Sequence, residues 1–136
     1  MGLFANFNIS GSAISAQSLR LNTVASNLAN VETIASSAGE AYRSRQPVFQ
    51  AMLGNLQQPG EVGVQMLDIV ESQKPNERRY DPGHALADAE GYIYASNVNP
   101  VEEMANMISA SRAYQNNVEV LNTSRDLLLR VLSLGS

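Results

Sequence analysis

The stretch "NPVEEMANMISASRAYQNNVEVLNTSRDLLLRVLSLGS", residues 99–136, decides the architecture. After Pro100 it contains no proline, and no glycine before Gly135. Asn99 is a suitable N-cap and Pro100 suits the first helical position. Glu102 falls three residues after Asn99, where the acid of a capping box belongs. Glu103 adds negative charge at the positive end of the helix dipole, and Arg125 and Arg130 place positive charge toward the other end. Gly135 is a natural stop. About 33 helical residues at ~1.5 Å rise make a rod of roughly 50 Å. Met104, Met107, Ser111, Tyr114, Val118, Leu121, Arg125, Leu128 and Leu132 follow the alternating three-and-four spacing of a coiled-coil seam, with Ser111 and Arg125 as exceptions. Beyond Arg125 the helix is apolar nearly all round, so it must be surrounded.

The other end of the chain repeats the trend. Over residues 10–31, Ile14, Leu21 and Leu28 stand seven apart and Val24 and Val31 fill companion positions. Two heptad helices at opposite ends of a chain imply that the ends pair. Between them lie most of the charges and the turn signals "QPGE", "KPN" and "DPGH". "YRSRQPVF" has strand composition, with Pro47 confining it to an edge. "EVGVQMLDIV" alternates and then shifts phase at Leu67, as a bulge would make it do. "GYIYAS" favours a strand. The expected fold is α+β: long N- and C-terminal helices pairing as a coiled coil, with a small β-rich middle domain. The boundaries fall at 1–33, 34–99 and 100–136.

Composition narrows function. The chain has 136 residues, 44% of them apolar, and a net charge of −4. No basic block concentrates the nine lysines and arginines, which argues against nucleic acid as a partner. There are no cysteines, so disulfides and thiolate metal sites are excluded. No apolar run reaches the length of a membrane span. The start, "MGLFANFNIS", lacks the basic and apolar regions of a secretory signal.

Chemistry finds little footing. His84 is the single histidine, near Asp81, Asp88 and Glu90. A base with a carboxylate orienter is one reading and a polar turn into the next strand is the simpler one. Metal sites normally need three or four ligands. No phosphate loop, nucleophile elbow or dinucleotide fingerprint is present. No catalytic residue, cofactor or metal is expected.

The helices' outer faces are the unusual feature. Asn22, Thr23, Ser26, Asn27 and Asn30 on the first, and Asn106, Ser109, Gln115, Asn116, Asn117, Asn122 and Thr123 on the last, are polar but neutral. A paired neutral amide is cheap to bury, whereas an unpaired charge costs several kcal/mol. Such faces suit packing against many neighbours. The expected assembly interface is Ile14, Leu21, Asn27, Leu28, Asn30, Met104, Met107, Tyr114, Val118, Leu121, Leu128 and Leu132.

"ISGSAISAQSLRLNTVASNLANVET" resembles the N-terminal signature of the bacterial flagellar rod, hook and hook-associated axial proteins. "DPGHALADAEGY" and "NPVEEMANMISASRAYQNNVEVLN" are similar to the proximal-rod branch of that family. The continuation "ANVETIASSAGEAY" departs from the ending common among other axial proteins and matches that branch. The similarity spans essentially the whole chain, least distinctively over 51–73. It implies a structural subunit, exported uncleaved through the flagellar type III apparatus and polymerised helically into the periplasmic drive shaft of the basal body. It also implies neighbours: further copies of itself, the rod proteins FlgB, FlgF and FlgG, and the FliE adaptor. The terminal helices would form the inner tube, ordering on assembly. Two other readings remain: a coiled-coil adaptor or secretion chaperone binding a partner helix, and a hydrolase using His84.

Overall fold

A computed structural model describes residues 2–53 and 62–135. The order of elements is α1 (Leu3–Ala29), β1 (Ile34–Ala35), β2 (Arg45–Leu53), β3 (Val62–Glu71), β4 (Arg78–Tyr80), β5 (Tyr92–Ala95) and α2 (Pro100–Leu134). The class is α+β, with long helices at both ends and the strands between them.

α2 runs 35 residues, as its spacing predicts. Asn99 caps it: its Oδ1 accepts from the backbone N–H of Val101 at 3.1 Å and of Glu102 at 3.3 Å. The capping box is only half made. The Glu102 carboxylate turns to Lys74 Nζ, 3.9 Å away, in place of the Asn99 N–H. α1 is 27 residues long and starts seven residues before the expected Ser10. Its first turn closes on the Gly2 carbonyl, which accepts from Ala5 N. Ser12, which could have competed with the helix by capping, instead donates back to Ile9 O at 2.8 Å. At the other end Asn30 Nδ2 donates to Ser26 O at 2.8 Å, satisfying a last-turn carbonyl.

Among the described residues five strands form two sheets, where the sequence reads three strands. One has the order β1-β5-β4, and the other pairs β2 with β3. β5 is central and antiparallel to both neighbours, with Ile34 opposite Ala95 and Arg79 opposite Ile93. Its Ile93 is 2% exposed. β1 and β4 escape a sequence reading because two and three residues are too few to show a period. Gly91, at φ +84°, makes the turn into β5; a Cβ there would lie 3.0 Å from Tyr80 Cε2 and 3.1 Å from Pro82 Cβ. Pro47 sits within β2, tolerated because each strand of a two-stranded sheet has a free edge. β3 is continuous, and its phase change marks where half-burial ends: Val64 and Met66 are half-buried, while Leu67, Ile69 and Val70 are exposed. The turn expected at Pro59–Gly60 lies outside the described residues.

In space the chain gathers into two compact units. One comprises Met1–Leu21, Pro47–Asp68 and Ile108–Ser136; the other comprises Asn22–Gln46 and Ile69–Met107. Among the described residues, the buried positions of the first are all small: Ala5, Ser10, Ala16, Ala110 and Ser124. There β3 seats on α1 through Gly63, whose missing Cβ would lie 3.2 Å from Ser12 Oγ, and Val64 N donates to that hydroxyl at 3.1 Å. The second unit buries Val24, Ala41, Ile93 and Val98 beside Thr23, Asn27, Ser44, Ser96 and Glu103.

Candidate assembly surface

α2 carries two heptad lines. The inward line is Glu103, Met107, Ala110, Tyr114, Asn117, Leu121, Ser124 and Leu128, all buried or half-buried. The second is Val101, Met104, Ile108, Ser111, Gln115, Val118, Asn122, Arg125, Leu129 and Leu132; all but Ser111 and Val118 are exposed. The expected seam straddles both. Met107, Tyr114, Leu121 and Leu128 turn inward, whereas Met104 is 56% and Leu132 61% exposed. Small residues explain the offset: Ala110 and Ser124, 0% and 6% exposed, occupy inward positions that size alone would assign to their bulkier neighbours. A helix with one covered line and a second that leaves Val101, Met104, Ile108, Leu129 and Leu132 bare has more apolar surface to bury than its own chain covers.

On α1, Ile14, Leu21 and Leu28 are half-buried, and full burial falls on Ala5, Ser10, Ala16, Thr23, Val24 and Asn27. Asn27 corrects the expectation that it faces a neighbouring molecule. It is 1% exposed and makes its bonds within its own chain. Its Nδ2 donates to Arg45 O at 2.8 Å and its Oδ1 accepts from Arg45 N at 2.9 Å. The same oxygen accepts from the Tyr42 hydroxyl at 2.9 Å. Asn30 is half-buried and occupied with its own helix, and Asn117 likewise donates to Ala113 O at 2.7 Å. Asn116 and Asn122 are exposed. The neutral side chains of the helices therefore divide between intrachain bonding and open surface.

Two further asparagines, not anticipated, complete this arrangement. Asn76 Nδ2 donates to Tyr42 O and to Ala95 O, both at 2.9 Å. Asn97 Oδ1 accepts from Ser44 N at 2.6 Å while its Nδ2 donates to Lys74 O at 2.8 Å. With Asn27, they fasten the backbone at 42–45 to α1, to 74–76 and to 95–97, where no strand ladder does so. Their sequence signal is only an asparagine beside a predicted strand, too common to be read.

His84 accepts the Leu86 N–H on Nδ1 at 3.0 Å, within the polar turn. Asp88 organises that turn: Oδ1 accepts from Glu90 N and Tyr92 N, both at 2.9 Å. The bond from the Tyr92 backbone is the main cause that holds the Asp88 carboxyl below the ordinary aspartate range. Arg78 lies 3.7 Å over the Tyr92 ring and 2.7 Å from Glu90. Among the described residues, no three histidines or carboxylates gather where they could hold a metal ion, and no helix is long and apolar enough to cross a membrane.

Residues 7–34 match the family described as "Flagella basal body rod protein", and residues 89–134 match "Flagellar basal body rod FlgEFG protein C-terminal". The flagellar basal-body rod protein FlgC of Escherichia coli O6:H1 is 49% identical over 137 residues, covering 99% of each chain. That of Salmonella typhimurium is 48% identical with 99% of each covered, and that of Borreliella burgdorferi is 34% identical with 98% of each covered. Identity at this level along almost the entire length shows that the chain belongs to the FlgC family of flagellar basal-body rod proteins.

Proposed function

We propose that the chain is a structural subunit of the proximal flagellar rod, polymerising helically through its terminal helices into the shaft that transmits motor torque. The observation that carries this reading is the bare heptad line of α2, with Val101 at 75%, Met104 at 56%, Ile108 at 55% and Leu132 at 61% exposure beside a line already covered. Exposed apolar residues at heptad spacing near both ends of α2 are a binding surface, and a second helix is their natural complement. In our reading the terminal helices of successive subunits face the axis of the assembly. The interface then keeps Ile14, Leu21, Leu28, Asn30, Met104, Val118 and Leu132 and adds Ile108 and Leu129, while Asn27 and the inward Met107, Tyr114, Leu121 and Leu128 serve the fold of the single chain.

The relatives' names support placement in the basal body. In our reading the rod section lies in the periplasm, export proceeds through the type III apparatus, and the neighbours are FlgB, FlgF, FlgG and FliE. The test is to supply the chain to a strain lacking its own equivalent and analyse purified basal bodies. The rod reading predicts restored rods that contain the chain and cells that swim. A coiled-coil adaptor or chaperone would stay outside the basal body as a soluble complex, and that result would refute the proposal.

A further inference from the structure

Arg125 is the one charged residue on the bare line of α2. It is exposed and takes no part in the ion pairs among the described residues, which are Arg45–Glu71, Lys74–Glu102 and Arg78–Glu90. Covering the line with a neutral helix would strand a guanidinium away from water. A covering surface meets that charge best by offering a carboxylate. α1 of a second copy cannot, because residues 3–29 contain no aspartate or glutamate.

α2 itself offers one. Glu119 is exposed, is absent from those ion pairs, and helps to line a concavity of about 420 Å³ with Asn116, Val120, Thr123 and Ser124. Its chemistry matches an arginine: Val120 is an apolar wall for the methylene stem and Glu119 a counter-ion for the guanidinium. The Asn116 and Thr123 oxygens can accept its remaining N–H groups. Arg125 and Glu119 are six residues apart, so at 3.6 residues per turn they face about a third of a turn away from each other. One chain thus presents the arginine on one side and its receptor on another.

Resting on the rod reading, we propose that Arg125 of one copy seats in the Glu119 concavity of a second copy, giving an α2-to-α2 contact between different faces. Such a heterologous contact passes from copy to copy and, where its rotation does not close a ring, propagates as a helical assembly needs.

The test uses the full chain in the complemented strain, with Arg125→Glu, Glu119→Arg and the two combined. Breaking a covered charge pair is expected to lower incorporation into rods by roughly tenfold or more in each single variant. The combined variant is expected to recover most of it. Circular dichroism of the purified variants should match the unaltered chain, since both positions are exposed. A second readout exploits the absence of cysteine: Asn122→Cys with Thr123→Cys is expected to yield an oxidised ladder of covalent multimers in rods. If the singles incorporate normally, or the combined variant does no better than either, the contact is wrong. Rescue of Glu119→Arg by Arg20→Glu would also overturn it, by assigning the concavity to α1. Failure of the unaltered chain to enter rods would instead strike the rod reading itself.

Discussion

Asn27 pairs both atoms of its amide with the backbone of Arg45, at 2.8 and 2.9 Å, while 1% exposed. No other side chain of similar size supplies a donor and an acceptor in that order. Asn27→Ala leaves a buried N–H and C=O without partners and is expected to cost about 2–4 kcal/mol in urea unfolding. Asn27→Asp should be no milder, because it removes the donor and buries charge. Gly91→Ala is expected to cost about 1–3 kcal/mol, since alanine must adopt φ +84° with its Cβ 3.0 Å from Tyr80. Asp88 makes stability depend on acid. Its carboxyl is held below the unfolded value, so its contribution is complete above the ordinary aspartate range. That contribution is lost as pH falls through the folded value. Asp88→Asn retains an oxygen to accept from Glu90 and Tyr92 but cannot titrate. Its stability should fall less steeply than that of the unaltered chain as the pH drops below the ordinary aspartate range in denaturant titrations. At this scale the sequence was a poor guide. The neutral surface of "SNLANVET" was legible as something meant for burial, but whether its asparagines face their own chain or another depends on loops that pattern does not place.

At the scale of elements, α2 was almost fully readable, because a cap, a first-turn proline and a terminal glycine all act locally. Its seam was half readable. Heptad spacing selects bulky residues, but burial went to Ala110 and Ser124, since close packing favours small side chains that a hydrophobicity pattern passes over. β5 was evident from composition, whereas β1 and β4 exist only because β5 has two edges to fill. The offset seam separates folding from assembly. Ile108→Asp places a charge on the bare line, 55% exposed, without touching the inward line. It should shift unfolding by no more than about 0.5–1 kcal/mol while abolishing entry into rods. Leu121→Ala, on the inward line, should instead lower stability by about 1–3 kcal/mol.

At the scale of the whole molecule, each unit shows a different economy. The first buries only alanine and serine among its described residues, and the second closes around Ile93 with asparagine fastenings. Large apolar side chains such as Phe4, Leu53, Leu67, Leu129 and Leu134 remain exposed at 52% or more. A chain so arranged has little stabilisation of its own to spare, and packing by neighbours should raise its resistance to unfolding. The rod reading requires that the bare line of α2 be covered by other subunits. A cryo-EM map of basal bodies containing this chain tests it most directly. Met104, Ile108, Leu129 and Leu132 are expected to be enclosed by side chains of adjacent subunits; a map in which that line faces open solvent along the rod would refute the assembly.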